Sequence, residues 1–496
     1  MQHLNIAIVV LYLLAMLAFG WWGKSRTRNN SDYLVAGRRL GPLLYTGTMA
    51  AVVLGGASTV GGVGLGYTFG ISGMWLVVAI GAGVLLLSLF FAPTVQRLRI
   101  YTVSQMLTLR YGTRATRVSG IVMLAYTLML SATSTGAYAT VFVVLFGWDR
   151  ATSIALGGAI VLVYSTVGGM WSITLADMAQ FVIKTIGIFF LMLPFALESA
   201  GGFAGIAARA PESFFSITGI GAETIVTYFV VYTLGLLIGQ DIWQRVFTAG
   251  TPEVARWGGT AAGVYCILYG VAGAVIGMAA SVILPDIAAK DDVYADVALR
   301  VLPVGLGGLV LAAAVAAMMS TASGALIAAA TVARADVVPT VNAWLGRKAP
   351  ELADDPEADV AANRRWVLGL GLVVIVLAIV VQDVVAALTI SYDILVGGLL
   401  VAILGGLLWR RGTGLGAGVS MAAGTLVTLG AMIVLELRSE TRYGGVYANE
   451  PIYLGLLASG LCYVVFSLRS KPTDPAVMAA WDARATGSVK DELAVR

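Results

Sequence analysis

The chain has 496 residues, 59% of them apolar and 12% charged, with 60 glycines and a mean hydropathy of +0.88. A water-soluble domain of this length does not reach such values, so the composition points to an integral membrane protein. The net charge of +4 comes from basic residues dispersed among polar connections with no aromatic platform beside them, which excludes a nucleic-acid partner.

A bilayer core takes roughly 20 apolar residues per helix, and counting on that basis gives about thirteen candidate spans. They run over 4–22, 45–68, 73–96, 118–146, 151–169, 174–197, 222–246, 257–284, 303–333, 366–386, 388–409, 413–436 and 452–468. The alternation of a membrane β-barrel is absent, so the expected fold class is all-α. The first run, "LNIAIVVLYLLAMLAFGWWG", lacks a basic start and a small-residue cleavage site, so it reads as a retained helix rather than a signal peptide.

Lys and Arg placement sets the orientation. With the N-terminus outside and the C-terminus in the cytoplasm, 24 of the 31 basic residues fall on inward segments. The outward ones are Arg150, Arg209, Lys290, Arg300, Arg438 and Arg442, and Lys184 lies within a span. On this count Arg245 belongs to an inward segment. The protein is therefore expected in the cell membrane as a multi-pass chain. Cys266 and Cys462 lie in apolar runs and read as small buried hydrophobes. The one histidine, His3, stands at the terminus, which removes histidine catalysis and histidine metal sites.

Two spans carry clustered glycine at mid-length: the second, "AAVVLGGASTVGGVG" at 50–64, and the seventh, "YTLGLLIGQDIWQR" at 232–245. Glycine in membrane helices commonly serves close packing. Here the two clusters stand five helices apart, which is the pattern of an inverted-repeat transporter whose interrupted helices free backbone for a site near the midplane. The ninth span contains "AAAVAAMMSTASGALIAAA" at 312–330. Ala317, Ser320, Thr321 and Gly324 follow the i, i+3, i+4, i+7 spacing of one helix face. An alanine carbonyl and two hydroxyls on that face, with two carbonyls from a broken helix, would offer five neutral oxygens to a small hard cation. The bland account is that the hydroxyls bond back to their own helix.

Taken together, "SDYLVAGRRLG" at 31–41, "YTVSQMLTLRYG" at 101–112, "STVGGMWSITLADMAQ" at 165–180, "QRVFTA" at 244–249 and "MSTASGALIAAATVARAD" at 319–336 resemble the sodium:solute symporter family. The resemblance implies a LeuT-type core of two inverted five-helix repeats, one extra helix before it and two after. That gives an extra helix and inward loop at 1–44, the repeats at 45–197 and 222–409 joined by an outward loop at 198–221, and two helices with an inward tail at 410–496. It implies secondary active transport, in which inward Na+ movement drives uptake of a small organic solute by alternating access.

The resemblance also implies a shared Na+ site made of the Ala51, Leu54 and Ala317 carbonyls with the Ser320 and Thr321 side chains. Some members are similar in having a second site, for which Asp177 and Ser323 fit here, although the next hydroxyl position of the family is Gly324. Asp177 stands near the expected inner surface and could instead cap its helix. Lys184 shares a face with Asp177 and Gln180, about 10 Å further along the helix. It either snorkels or supplies a fixed positive charge that balances a carboxylate or assists an anionic substrate.

Solute contacts are expected at Val53, Gly55, Gly56, Ser58 and Thr59, at Thr133 and Ser134 in "SATST", at Tyr232, Gly235 and Gly239, and at Asp393. Sugar-binding members use amide and acid side chains where Val53 and Ser58 stand, which disfavours a sugar. The runs "VVLGGAS" and "SYDILV" are similar to the choline-carrier branch, but Val53 and Gly239 occupy positions that are aromatic there. The expected partners are thus a small-molecule solute, an amine or amino acid foremost, and the lipid bilayer, with no obligate protein partner. Alternatives of other kinds are a proton-coupled carrier of the same fold and a solute sensor that does not transport. An enzyme is disfavoured, since no nucleophile–base pair or phosphate-cradling loop is visible.

Overall fold

The computed structural model of the protein describes residues 2–112, 119–287, 289–347, 356–381, 384–441, 443–489 and 491. Six of the charges used above for orientation, Arg114, Arg117, Lys348, Arg442, Lys490 and Arg496, lie outside the described residues. Among the described residues the chain is helical, with no β-strand.

The spans follow the hydropathy closely. Helix α1 is Gln2–Arg26. The second span is broken into Pro42–Val53 and 57–69, here the two halves of α2. A turn at Gly70–Met74 separates it from α3, 75–97. Helix α4 is Ser119–Phe146. The long run Arg150–Ala200 divides at Gly169, whose φ of +57° belongs to the left-handed side that glycine alone adopts freely. A Cβ there would also stand 2.6 Å from the Tyr33 carbonyl oxygen. The run therefore makes two helices, α5 over 150–168 and α6 over 170–200.

Helix α7 is a bent pair, Ala222–Leu236 and Gln240–Thr248, at 46° to each other. Then come α8 (Val254–Ile283), α9 (Leu306–Trp344), α10 (Pro356–Val380), α11 (Val384–Leu408), α12 (Gly414–Arg438) and α13 (Glu450–Arg469). Among the described residues, with α2 and α7 taken as one broken helix each and the long runs 57–97 and 150–200 divided at their turns, the helices agree with the about thirteen spans expected from composition.

Several starts have a local cause. Asp149 accepts from the Thr152 amide at 3.0 Å at the head of α5, and hydrogen bonds from the Thr152 hydroxyl and amide hold its carboxyl below the usual range. Pro at the first turn begins the first half of α2 and α13, where a missing N–H costs nothing. Helix α9 is the axis of the molecule: its apolar window is wholly buried, and it packs against α1, α4, α5, α6 and α10. Its Ala, Ser and Gly side chains are small enough for backbones to approach closely. Outer helices α12 and α13 pair with one another and show most of their apolar surface outward, as lipid-facing helices do.

Candidate functional site at the two helix breaks

Both glycine clusters of the sequence are true interruptions. In α2 the helix ends at Val53, Leu54 adopts φ −91°, ψ 77°, and the chain resumes in a wider π-turn over Ala57–Gly61. In α7 the helix ends near Leu237, and Gly239 is extended at ψ 132° before Gln240 starts the second half. Carbonyls around such breaks lose their partners in the helix and must find others inside the protein.

The partners found at α2 are the centre of the site. Lys184, wholly buried on α6, donates its Nζ to the Ala51 oxygen at 2.9 Å and to the Leu54 oxygen at 3.4 Å. It does not snorkel. Thr321 on α9 donates to the Val52 oxygen at 2.7 Å, with the Ala317 oxygen of its own helix at 3.5 Å. The hydroxyl thus crosses to α2 and does not merely bond back. A Cβ at Gly55 would stand 2.6 Å from the Thr321 hydroxyl, so this close approach requires glycine there.

Beside it lies a charge cluster. Asp177, also wholly buried, accepts from Ser320 at 2.6 Å and from the Thr48 hydroxyl, and pairs with Arg245 Nη2 at 3.0 Å. Two expectations need correcting here. Asp177 is no surface cap but an interior acid, and Arg245 is no loop charge but a buried cation on the second half of α7. Gly324 explains how the arginine fits, because a Cβ there would stand 3.0 Å from Nη2. Ser323 turns away and donates to the Ser320 carbonyl at 3.0 Å, so its hydroxyl is not turned to Asp177.

Of the five oxygens expected to hold Na+, those of Ala51 and Leu54 share the Lys184 ammonium and that of Ala317 has the Thr321 hydroxyl at 3.5 Å. A hard cation sits about 2.3–2.6 Å from its oxygen ligands, judging by calcium. An ion at that distance from both the Ala51 and Leu54 oxygens would share the volume of the Lys184 ammonium. Even if it stood 4 Å away, two like charges would repel by about 4 kcal/mol at an effective dielectric of 20. With the lysine in this position the residues do not fit a sodium ion.

Between the two breaks is a central cavity. Of the expected solute contacts, Val53, Gly55, Gly56, Ser58, Thr133, Ser134 and Tyr232 line it. Thr59, Gly235 and Gly239 are placed otherwise. Thr59 faces α8, where its hydroxyl is 3.0 Å from that of Tyr269; Gly235 lies under the Tyr392 ring; and Gly239 lies beside Asp241 and Tyr126. Asp393 belongs to a second, outer cavity, lined also by Tyr228, Lys290 and Asn449. Its Oδ1 has no hydrogen-bond partner among the described residues. Tyr232, Ala57 and Leu388 line both chambers and so stand between them.

The central cavity has an acid the sequence reading passed over. Asp241, in the first turn of the second half of α7, lines the wall and accepts from the Tyr126 hydroxyl at 2.8 Å. Tyr392 lines it too, its ring 5.3 Å from that of Tyr232 and 5.6 Å from that of Tyr126. A carboxylate among tyrosine rings is a setting that attracts a small cation or amine.

Comparison with known proteins agrees with this architecture. The sodium/proline symporters of Staphylococcus aureus strains JH9 and NCTC 8325 are each 25% identical to the chain, covering 94% of it and 93% of the relative. Among solved structures, a Na+-coupled sialic acid symporter in a substrate-bound outward-open state matches with a TM-score of 0.80 at 17% identity, covering 95% of this chain and 98% of that one. A nucleobase-cation-symport-1 family transporter in a closed conformation matches at 0.59 and 15% identity, over 92% and 99% of the two chains. These likenesses establish the LeuT-type fold of a multi-pass membrane protein, and its relatives are transporters, not enzymes. The sodium:solute symporter family profile matches residues 33–424, and the chain belongs to that family.

Proposed function

We propose that the protein is a secondary active transporter that takes up a small, amine-bearing organic solute by alternating access. The observation that carries this reading is the central cavity between two broken helices, with Asp241 on its wall among Tyr126, Tyr232 and Tyr392. The cavity lining is apolar apart from Asp241 and a few hydroxyls, so the acid would orient the solute by its positive group. That the curated relatives are named sodium/proline symporters supports an amino acid or related amine over a sugar.

Alternating access would be gated by the shared residues. Tyr232 and Leu388 separate the central site from the outer cavity, and movement of the α7 half that carries Tyr232 would open one chamber to the other. The loop charges support a cytoplasmic C-terminus, which makes the Asp393 chamber the outward vestibule. Membership of the family supports Na+ as the driving ion. A second reading, a sodium-independent carrier of the same fold, is favoured by the Lys184 ammonium on the Ala51 and Leu54 carbonyls.

The test is solute exchange in reconstituted vesicles. Candidates are first screened for thermal stabilisation of the protein, because a ligand bound only by the folded chain raises its stability. The stabilising amines are then preloaded and counterflow of labelled solute is followed. The expected outcome is saturable counterflow of an amine or amino acid; a folded protein that exchanges no member of a broad panel would overturn the reading.

A further inference from the structure

We infer that the Lys184 ammonium is the resident cation of the broken-helix oxygens, so that the site of Ala51, Leu54, Ala317, Ser320 and Thr321 takes no sodium ion in this protein. The inference rests on the transporter reading for the role of the break in α2, and it narrows what can drive the cycle.

Position is the first ground. Nζ lies 2.9 Å and 3.4 Å from the two α2 carbonyls, the pair of oxygens that only a break at Leu54 and Gly55 presents together. Chemistry is the second. An ammonium has three donors and no acceptor, and it is compact enough to stand where a monovalent ion would stand among neutral oxygens. Because its stem is wholly buried on α6, this cation is tethered: it stays with the protein whatever the medium contains.

The Thr321 hydroxyl donates to the Val52 carbonyl and that of Ser320 to Asp177, which ties both side chains to protein partners. Charge balance is the third ground. Lys184 and Arg245 are both buried, and Arg245 already pairs with Asp177, so a sodium ion at the Ala51 and Leu54 oxygens would add a further positive charge beside a tethered ammonium in a medium that penalises one heavily. Arg245 on Asp177 completes the pattern, since the acid expected to serve a second ion also has a tethered cation of its own.

The test compares the purified full-length chain melted in Na+ with the same chain melted in choline at constant ionic strength. In the wild type, about 100 mM Na+ is expected to shift the melting temperature by less than about 1 °C. Lys184→Ala and Lys184→Ser clear the ammonium and leave the oxygens. They are expected to melt lower in choline and to regain about 2 °C or more in Na+, a gain that an added Thr321→Ala removes. A wild-type shift of that size, abolished by Thr321→Ala, overturns the inference. If the lysine variants do not fold, the native chain still decides: labelled Na+ retained in equilibrium dialysis by the wild type and not by Thr321→Ala overturns the inference, and no such retention supports it.

Solute exchange separates this from a failure of the transport reading. Exchange that runs fully in sodium-free medium supports the assignment of Lys184. Exchange that demands Na+, with a half-saturating concentration moved by Thr321→Ala, overturns it. Absence of exchange in every medium removes the transport reading, and the melting comparison then supports or overturns the cation assignment without it.

Discussion

In α2 the chain leaves the helix at Leu54 and Gly55, in α7 between Leu237 and Gly239, and the oxygens released at the two places meet different company. Those of α2 receive an ammonium and a hydroxyl from two other helices. In α7 the Leu237 oxygen receives the indole Nε1 of Trp243, from the same helix one turn on, at 2.7 Å. The first break is thus fastened across helices by charge and the second fastens itself. Its second half is then free to carry functional side chains on its first turns: Gln240, which accepts from the Val103 amide at 2.8 Å and donates to the Tyr101 carbonyl at 2.9 Å, Asp241 on the cavity wall, and Arg245 on Asp177. One backbone device serves as a socket in α2 and as a bracket in α7.

The greatest effect on this comparison should come from Arg245→Met. It leaves Asp177 buried without its partner, and losing one member of a buried pair costs about 3–5 kcal/mol. The expected outcome is a large fall in the melting temperature and in folded yield. The double variant with Asp177→Asn should regain most of the loss, since the amide carries no charge, its oxygen can accept from one of the two hydroxyls and its NH2 can donate to the other. Equal stability of Arg245→Met and wild type in a denaturant titration would show that α7 is not held to α6 by this pair.

Asp241→Asn tests the other side of the bracket. Hydrogen bonds to charged groups contribute about 1.5–3 kcal/mol, so the dissociation constant of an amine solute should rise roughly tenfold to a hundredfold. Stability should change little, because the amide oxygen can still accept from Tyr126. Titration of the stabilising solute in the melting assay measures it. An unchanged affinity would move the amine elsewhere, to Asp393 and the outer chamber.

The architecture was legible because membrane spans announce themselves by length and hydropathy, and the breaks because glycine clusters at mid-span are costly for a helix. The α9 oxygens were legible too, since Ala317, Ser320 and Thr321 share a face through helix spacing alone. The same spacing placed Lys184 in line with Asp177 and Gln180, but what it reaches depends on α2 lying opposite, a contact 133 residues away in sequence. Arg245 was misplaced because it ends an apolar run and looks there like an interfacial charge; only its ion pair shows that the chain continues inside. Thr59 was expected on the cavity beside Ser58, yet the π-turn at Ala57–Gly61 inserts an extra residue into the winding and turns it to Tyr269. Asp241 and Asp393 are both single acids in apolar surroundings, and helix packing alone sorts them into different chambers.

A matched pair of deletions takes the comparison to its smallest scale. Trp243→Phe removes the indole donor from the Leu237 oxygen and Thr321→Ala removes the hydroxyl donor from the Val52 oxygen; each takes away one bond at one break. A buried hydrogen bond is worth about 0.5–1.5 kcal/mol, and a stranded partner costs more. Trp243→Phe should cost about 1–2 kcal/mol, toward the upper end, because it empties space around a fully buried ring and leaves the α7 oxygen without its donor. Thr321→Ala should cost about 1 kcal/mol or less, because Lys184 still holds the α2 break through two neighbouring carbonyls. Denaturant titration measures both. The functional readouts should also separate: loosening α7 shifts Asp241 and weakens solute binding, whereas loosening the already tethered α2 leaves it within about twofold. If Thr321→Ala proves the more damaging of the two, the hydroxyl and not the ammonium is what holds the α2 break.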